Sequence, residues 1–372
     1  YIVRNIFNKL KQKSIQKIDA YFLGLYLEKL PNKFQKENNC QCFNYFGKRF
    51  YKQKNILFAH SINISTRKLD HNVRLKFQKY PFGYLSSWIE IIKLTFFLLI
   101  QIIFFPINIF SNKLVKTLLF NELFFAKVCS LQKKKFLAKS YLFDNSFIFR
   151  PFWTFIAEQK ESDIIFYFFS SSTGSFENKD GNPASISFRL RNLNWPNYVF
   201  WNKYHEKVHR KFLEKPYIIS HSGPICLHNK DLNKNLKLPD RTISVFDVHP
   251  YRDYLYKSMA YPTEYYIPKY CLSFLKDILF ICEKNNINFC FKTKANIKNI
   301  SAHPSYIKFI NSISNKSNVL IIPHETSPYD LIKKTNISIA MPFTSTPLIS
   351  KALKKPSCYY DSFGLINKND KG

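Results

Sequence analysis

The second half of the chain alternates short apolar runs with longer segments whose apolar residues recur every three or four positions. The apolar runs are nearly continuous, which is typical of strands covered on both faces of a parallel sheet. The longer segments have the period of amphipathic helices. Predicted strands cover residues 242–248, 287–293, 318–323, 337–341 and 357–361, and predicted helices cover 271–286, 304–314, 327–335 and 347–355. This order predicts βαβ units in a doubly wound parallel sheet.

The first half carries a weaker form of the same pattern. Strands are predicted over residues 163–172, 198–201 and 217–224, and a helix is predicted over residues 202–215. We predict an N-terminal segment at residues 1–50 and an α/β domain at residues 51–235. A polar linker is predicted at residues 228–241, and a C-terminal Rossmann-like domain at residues 240–372. Two Rossmann-like halves with a cleft between them form the GT-B arrangement, so the predicted fold class is α/β of GT-B type.

One segment of the first half stands apart by its hydrophobicity: LTFFLLIQIIFFPINIF, residues 94–110. It is slightly shorter than the roughly 20 apolar residues that span a bilayer, and it contains Gln101 and Pro106. Three interpretations are open: a buried core helix, an interfacial or re-entrant membrane segment, and a true span, which is the weakest of the three.

The chain is strongly basic, with 56 Lys and Arg against 25 Asp and Glu and a formal net charge of +31 over 372 residues. The basic residues are spread along the whole sequence, and no zinc-finger, RNP or basic-heptad pattern accompanies them. We therefore expect no nucleic-acid partner, whereas anionic lipids, nucleotide phosphates and acidic glycans all suit a positive surface. The eight cysteines include no CxxC pair, which favours a reducing cytoplasm. The chain begins at Tyr1, which leaves open that it is a fragment.

The stretch MPFTSTPLIS places Thr344, Ser345 and Thr346 between a predicted strand and a predicted helix. Ligands of parallel α/β sheets bind outside the carboxyl ends of the strands. We expect Thr346 to be the N-cap, with Pro347 in the first helical turn. Hydroxyl groups beside the free N–H groups of a helix start predict a site for a nucleotide phosphate. The alternative is that Thr346 only caps the helix, which explains one hydroxyl but not three.

Charged residues follow two other predicted strands of the second half. Lys292 and Lys294 end the strand in FCFKTKAN, where they are expected to neutralise donor phosphates, although lysine is common everywhere in this chain. Glu325, in HETSPYD, is expected to hold ribose hydroxyls. The alternative for Glu325 is a favourable interaction with a helix dipole.

The sequence SVFDVHPYRDY begins the second half and clusters four ionisable residues, Asp247, His249, Arg252 and Asp253. Ionisable groups so close to a buried strand predict a site that lines the cleft between the two domains. An ion-paired turn that only stiffens the linker is an equally weighted alternative.

The sequence HEKVH, residues 205–209, fits the H-E-x-x-H pattern of zinc hydrolases. On a helix, this pattern places His205 and His209 on one face to bind zinc, with Glu206 as general base. The interpretation is disfavoured because Lys207 and Arg210 add charge and no third ligand follows. No D-x-D, G-x-x-x-x-G-K-[ST] or G-x-G-x-x-G sequence occurs, which argues against metal-dependent GT-A transferases, P-loop NTPases and dehydrogenases.

Several stretches together resemble bacterial polysaccharide and lipopolysaccharide biosynthesis proteins of glycosyltransferase type. They are RPFWTFIAEQKESDIIFYFFSS, YVFWNKYHEKV, SVFDVHPYRDYLY, EYYIPKYCLSFLKDI, FKTK and MPFTSTPLISKALKKPSCYYD, within residues 140–365. The layout is more distantly similar to bacterial sialyltransferases and Kdo transferases. The resemblance implies a GT-B enzyme of the cytoplasmic membrane surface that uses a nucleotide sugar, CMP-activated in those two families, and no cofactor or metal.

The resemblance also implies roles for particular residues. Thr344, Ser345 and Thr346 match the late Ser/Thr pair that binds the donor phosphate in those families. A His-Pro pair near that phosphate is matched by both His249-Pro250 and His303-Pro304. The Asp-Asp-Gly or Glu-Asp-Gly acid/base pattern of sialyltransferases is absent here.

The implied reaction is inverting sugar transfer to a glycan or lipid-linked acceptor. A carboxylate of the N-terminal domain would deprotonate the acceptor hydroxyl, and Glu158 and Asp144 are the candidates. The apolar segment and the basic surface would hold the enzyme at the cytoplasmic leaflet. The alternatives are a CDP-glycerol-type polymer phosphotransferase, a zinc hydrolase acting through HEKVH, and a non-catalytic glycan-assembly protein.

Overall fold

In the computed structural model, the described parts of the chain carry two parallel β-sheets. The residues that the structure describes are 17–23, 46, 56–60, 73–111, 114–144, 147, 149–168, 170, 176–182, 193–210, 213, 218–223, 236–258, 264–297, 300–324 and 326–369.

The first sheet has seven parallel strands. They are β1 (Ala20–Leu23), β2 (Ile56–His60), β3 (Val73–Phe77), β4 (Ser140–Asp144), β5 (Asp163–Tyr167), β6 (Asn197–Phe200) and β7 (Ile218–His221). Their order in the sheet is β3-β2-β1-β4-β5-β6-β7. The direction of winding reverses between β1 and β4, which pair in register from Ala20 with Ser140 to Leu23 with Phe143. Such a reversal opens a crevice at the carboxyl ends of the two strands.

The second sheet has five parallel strands and its own reversal. The strands are β8 (Thr242–Phe246), β9 (Asn288–Lys292), β10 (Val319–Ile322), β11 (Ile337–Ala340) and β12 (Ser357–Tyr359). Their order is β10-β9-β8-β11-β12, so the winding reverses between β8 and β11. Two doubly wound parallel sheets confirm the predicted α/β fold with two Rossmann-like halves.

Ten α-helices lie within the described residues. They are α1 (Trp88–Phe110), α2 (Leu114–Leu118), α3 (Phe120–Leu131), α4 (Phe152–Gln159), α5 (Lys203–Arg210), α6 (Asp253–Ser258), α7 (Pro268–Lys284), α8 (Pro304–Ile313), α9 (Pro328–Lys334) and α10 (Thr346–Ala352). α1 begins with a capping box, in which the Ser87 side chain accepts from the Glu90 N–H and the Glu90 carboxylate accepts from the Ser87 N–H. Three helices of the second half begin directly at a proline, whose missing N–H costs nothing there.

The predicted division of the first 235 residues needs a correction. β1 belongs to the segment 1–50, which we predicted to be separate, yet it lies between β2 and β4 in the first sheet. The reason is long-range pairing, because β1 is only four residues long and its partner β4 lies far along the chain. The two halves of the chain also contact each other. The ring of Phe176, from the first half, packs against Phe343 and Tyr359 of the second half, with ring centroids 5.1 and 4.8 Å apart.

Of the three interpretations of residues 94–110, the structure contradicts the buried core helix. The segment forms most of α1, and only 11% of its most apolar 18-residue window is buried. Ile91 and Leu94 are its buried residues. By length and composition, α1 is the one helix in the described parts of the chain that would suffice to cross a membrane. The interpretation as a membrane segment therefore remains open, and the core interpretation is excluded.

Candidate functional site

The reversal in the second sheet brings two sequence motifs side by side. β8 and β11 pair with Phe246 opposite Ala340, and the Met341 N–H donates to the Phe246 carbonyl over 2.9 Å. The residues that follow β8 run through His249, and those that follow β11 form the stretch Pro342–Thr346. Both stretches therefore leave the sheet at the carboxyl ends of adjacent strands, where parallel α/β folds bind ligands.

The stretch after β11 is held in place by its own hydroxyl groups. Thr344 Oγ1 donates to the Met341 carbonyl over 2.9 Å and lies 3.3 Å from Thr346 Oγ1. The Tyr359 hydroxyl donates to the Thr344 carbonyl over 2.8 Å. Phe343 has a left-handed backbone, with φ of 65°, and its buried ring packs in the second core. Both threonine side chains are largely buried, so this loop is fixed by the fold.

The predicted N-cap needs a correction by one residue. The helix α10 begins at Thr346, so Ser345 is the N-cap and Pro347 is the second helical residue. The Ser345 side chain makes no capping hydrogen bond. Its Oγ lies 3.1 Å from Oγ of Ser170, in the loop after β5 of the first sheet. The hydroxyl therefore bridges the carboxyl edges of the two sheets, and helix capping does not explain it.

His249 lies at the base of this site. Its backbone has φ of 62°, its side chain is fully buried, and both ring nitrogens lack a hydrogen-bond partner among the described residues. The ring packs edge-on against Tyr251 and Tyr306. Burial, followed by the nearby positive Lys294 and by His324, lowers the pKa of His249 to about 4. The imidazole is therefore neutral at pH 7 and has one N–H to donate and one nitrogen that accepts.

The structure separates the two His-Pro pairs that the sequence left equivalent. His303 is the N-cap of α8, and its ring Nδ1 accepts from the Ser305 N–H over 3.2 Å. Its backbone N–H donates to the carbonyl of Pro250. The two pairs are thus neighbours. His249 follows the strand β8 at the reversal, whereas the His303 ring caps the helix α8.

Asp247 and Arg252 both have hydrogen-bond partners within the second half of the chain. The buried Asp247 carboxylate accepts from the Tyr306 hydroxyl over 2.5 Å, from the Cys271 thiol over 3.3 Å and from the His249 N–H over 3.2 Å. Burial raises the pKa of Asp247, which these hydrogen bonds partly oppose. Arg252 Nε donates to the Ala302 carbonyl over 3.3 Å. Within the predicted cluster, His249 is buried with both ring nitrogens unpartnered among the described residues, whereas Asp253 is exposed at the start of α6.

Positive charge collects at the neighbouring strand ends. The Lys292 ammonium is mostly buried and donates to the carbonyls of Thr293 and His324, each over 3.1 Å, so it joins the ends of β9 and β10. Lys294 is exposed and lies over the Tyr266 ring at 5.4 Å. The positive charge of Lys294 also helps to lower the pKa of His249. Glu325 lies outside the described residues.

The two candidate bases of the first half lie at opposite edges of its sheet. Asp144 is the last residue of β4, at the reversal beside β1, and is buried. Glu158 lies in the last turn of α4, which ends next to the start of β5, and its carboxylate pairs with Arg150. Ligands of parallel α/β sheets bind at the carboxyl edge, where Asp144 lies and Glu158 does not, so Asp144 is the candidate base that we keep as a prediction.

The HEKVH helix is packed in a way that differs from a zinc site. His205 and His209 lie buried against Phe168 and Phe200, with ring centroids 4.5 to 5.6 Å apart. Glu206 extends elsewhere: its Oε2 lies 2.6 Å from His221 Nε2. Among the residues that the structure describes, no group of three His, Cys, Asp or Glu side chains is placed to hold a metal ion.

Ser170 and His324 are site residues that the sequence analysis missed. Ser170 belongs to FFSSS, directly after an apolar strand, which is the same strand-then-hydroxyl pattern that singled out Thr344–Thr346. His324 follows the strand β10 in the same manner. Both could have been found by asking which polar residues follow every predicted strand.

A family described as "Polysaccharide biosynthesis PFTS motif protein" matches residues 96–372 of the chain. The letters P-F-T-S occur here at Pro342–Ser345, the loop that the structure places at the reversal between β8 and β11. The chain belongs to the polysaccharide biosynthesis PFTS motif family. The predicted resemblance to polysaccharide biosynthesis proteins is therefore confirmed.

Solved structures similar to this PFTS family protein include a wall teichoic acid polymerase, a protein complexed with a UDP-sugar and a UDP-sugar epimerase. The wall teichoic acid polymerase TagF has 10% identity and a TM-score of 0.43, over 96% of this chain and 77% of that chain. Phytolacca americana UGT2, complexed with UDP-2-fluoro-glucose, has 10% identity and a TM-score of 0.41, over 93% and 80%. UDP-GlcNAc 2-epimerase from Methanocaldococcus jannaschii has 8% identity and a TM-score of 0.41, over 93% and 89%. A search of curated protein sequences found no match.

Proposed function

We propose that this PFTS family protein is a glycosyltransferase of surface polysaccharide or lipopolysaccharide biosynthesis. It transfers a sugar from a nucleotide donor, with CMP-activated acidic sugars the first candidates, to a glycan or lipid-linked acceptor. The observation that carries the proposal is the convergence of the PFTS loop and the buried, neutral His249 at the reversal of the second sheet. Membership of a polysaccharide biosynthesis family supports the same substrate class.

The donor phosphate is assigned to the carboxyl edge of the second sheet. Ser345 and a His249 N–H supply uncharged hydrogen bonds, and Lys294 supplies positive charge from an exposed position. Lys292 fixes the ends of β9 and β10 through backbone carbonyls and contributes its charge from beneath the site. Hydrogen bonds to a phosphate are stronger than those between neutral groups, since one partner is ionised.

The proposed chemistry is an inverting displacement at the anomeric carbon. The acceptor oxygen forms the new bond to that carbon while the bond to the phosphate oxygen breaks, and the electron pair leaves with the nucleotide phosphate. The acceptor proton passes to the carboxylate of Asp144, which lies at the carboxyl edge of the opposing sheet. The cations and N–H groups of the second sheet stabilise the negative charge that develops on the leaving group. The proposed reaction requires neither a cofactor nor a metal ion.

The proposed location is the cytoplasmic face of the inner membrane, to which the protein binds peripherally. Lipid-linked acceptors of polysaccharide assembly would be met there. The exposed apolar surface of α1 and the net charge of +31 support this part of the proposal.

The donor assignment predicts that one nucleotide class stabilises the protein and that Ser345→Ala weakens the effect. A ligand at 100 times its Kd adds about 2.7 kcal/mol to the stability of the folded state, so Tm should rise by several degrees. Loss of a hydrogen bond to a charged group costs about 1.5–3 kcal/mol, so Ser345→Ala should weaken nucleotide binding by about 10- to 100-fold. The measurement is a thermal-shift titration with CMP, CDP, UDP, GDP and their sugars.

Ser312→Ala is the matched control, because Ser312 is an exposed serine of α8 whose hydroxyl only donates to the Phe309 carbonyl. It should bind nucleotides as the wild type does. Stabilisation by UDP or GDP instead of CMP would change the donor class and keep the site. No stabilisation by any nucleotide would exclude the transferase. Release of CMP from CDP-glycerol, with no sugar transferred, would identify a polymer phosphotransferase instead.

A further inference from the structure

α1 runs antiparallel to α3, and the fully buried residues of α1 all lie in its first half. Gln132, the residue after α3, donates through Nε2 to the carbonyls of Gly83 and Tyr84, just before α1. Further along, the Lys127 ammonium lies 5.8 Å from the ring centre of Phe97. The start of α1 therefore lies beside the end of α3. The buried residues of α1, Ile91 and Leu94, are all in this first half.

The second half of α1 extends past the beginning of α3. At 1.5 Å per residue, α1 spans about 35 Å and α3 about 18 Å. Four successive residues of the extending part point about 100° apart around the helix, yet each is about half exposed or more: Ile102 65%, Ile103 63%, Phe104 49% and Phe105 48%. Apolar residues thus face every direction. A groove on a protein partner would cover one stripe of this helix, whereas lipid surrounds it.

The extending part lies on the acceptor side of the proposed active site. The beginnings of α3 and α4 are joined, because Glu122 Oε2 accepts from the Phe152 N–H over 2.9 Å. α4 follows β4, so this end of the helical layer lies at the carboxyl edge that carries Asp144. Two aromatic side chains are exposed here: Phe149 at 60%, between Asp144 and α4, and Phe152 at 43%, the first residue of α4. The apolar surface therefore continues from α1 toward the carboxylate.

We propose that the second half of α1, together with α2, inserts into a bilayer that contains anionic lipids, and that the acceptor is lipid-linked and reaches Asp144 from this membrane. The second part rests on the proposed transferase function. Val115 and Leu118 of α2 are 65% and 73% exposed and extend the apolar surface. In sequence, Lys93, Lys113 and Lys116 flank the apolar stretch, against one acidic residue, Glu90. This excess of positive charge matches anionic headgroups.

The first test is flotation of the full chain with vesicles of phosphatidylethanolamine and phosphatidylglycerol. The wild type should float with them, and the double variant Ile102→Asp/Ile103→Asp should partition at least about 100-fold less, because carboxylates are costly in the acyl region. The matched control is Phe280→Asp/Ile281→Asp on α7, a pair of adjacent helical residues in the second half that are 65% and 53% exposed. This control should float as the wild type does.

An intrinsic probe reports where the membrane lies. Trp88, the first residue of α1, is 45% exposed, whereas the other three tryptophans, Trp153, Trp195 and Trp201, are at most 3% exposed. Lipids brominated near the headgroup should quench part of the tryptophan fluorescence, and Trp88→Phe should remove the quenched part. Stronger quenching by lipids brominated at the bilayer centre would contradict an insertion led by the far half of α1.

The outcomes distinguish a failure of the membrane-insertion proposal from a failure of the transferase proposal. Equal flotation of the wild type and the α1 variant, or no flotation at all, would overturn the membrane surface even if nucleotides stabilise the protein. Concentration-dependent dimers that the α1 variant abolishes, without flotation, would assign the surface to a second copy of the chain. Normal flotation with no nucleotide binding would instead overturn the transferase and keep the membrane surface. The α1 variant should retain the nucleotide thermal shift of the wild type.

Discussion

Asp144→Asn is expected to lower kcat for sugar transfer by about 10²- to 10⁴-fold, the usual contribution of a general base, while donor binding stays unchanged. Asp144 ends β4 at the reversal of the first sheet and is 2% exposed. Asparagine has nearly the same shape but accepts no proton at neutral pH. The loss should therefore appear in kcat and kcat/KM, with the nucleotide thermal shift preserved. The measurement is steady-state transfer with a radiolabelled donor sugar.

Two carboxylates of the same domain serve as matched controls. Glu158 pairs with Arg150 in the last turn of α4, and Asp163 begins β5, so both lie at the amino edge of the first sheet. Glu158→Gln and Asp163→Asn should each keep kcat within about threefold of the wild type, since neither would touch the reacting atoms. Full activity of Asp144→Asn, together with a large loss in Glu158→Gln, would contradict the assignment. A lowered Tm for Asp144→Asn would indicate a structural defect. A preserved nucleotide thermal shift would distinguish the loss of a base from such a defect.

The second half of the fold was predictable because several local signals agreed. Its strands are continuous apolar runs, and Pro268, Pro304 and Pro328 each begin a helix. The predicted strand over 337–341 is β11 at Ile337–Ala340, and the predicted helix over 304–314 is α8 at Pro304–Ile313. Each strand carries apolar side chains on both faces of the sheet, so it can be recognised from its own sequence without long-range information.

The first sheet was harder to predict because its central strands are short and pair over long distances. β1 is only four residues long, and Asp19 is the single turn-type residue immediately before it. β3 contains Arg74 and Lys76 in alternation with apolar residues, which is typical of a half-exposed edge strand and is easily mistaken for a loop. The strand order that makes β1 central depends on contacts with β2 and β4. Local patterns do not carry that information.

Sequence alone identified the hydroxyl stretch of the candidate site but not its partner. Strand-end residues can be recognised one strand at a time, so Thr344–Thr346 and His249 were both singled out. Which of them meet depends on strand order, and only the structure shows that β8 and β11 are adjacent and that Ser345 faces Ser170. The same holds for Asp144 and Glu158, which lie close in sequence but at opposite edges of the sheet.

The exposure of α1 could not be predicted for a different reason. A core helix and a membrane-inserted helix have the same apolar composition, and they differ only in what surrounds them. The hydrophobic segment was therefore compatible with both. The structure shows that α1 begins beside the end of α3 and that, among the described residues, most side chains of its second half are exposed.

Acid should destabilise this protein between pH 6.5 and pH 3, and the two histidines of HEKVH should account for much of the loss. Burial lowers the pKa of His209 to about 3 and that of His205 well below its usual value. The folded state keeps both rings neutral, whereas the unfolded chain takes up protons below about pH 6.5. Their stabilising effect is therefore complete above pH 6.5 and is lost as the pH falls toward the folded-state pKa. At pH 5, His209 alone should cost about 2 kcal/mol of unfolding free energy.

His209→Phe tests this expectation, because the His209 ring nitrogens have no hydrogen-bond partner among the described residues and its ring already packs against Phe168 and Phe200. Urea unfolding at pH 7.5 and pH 5 should show the variant at least as stable as the wild type at the higher pH, and about 2 kcal/mol less sensitive to the change. His303→Gln, which alters a half-buried N-cap ring, should keep the wild-type pH dependence. A zinc site predicts the reverse: His209→Phe would lose a ligand, and zinc would stabilise the wild type alone. Identical pH dependence of His209→Phe and the wild type would refute the buried, neutral state of this ring.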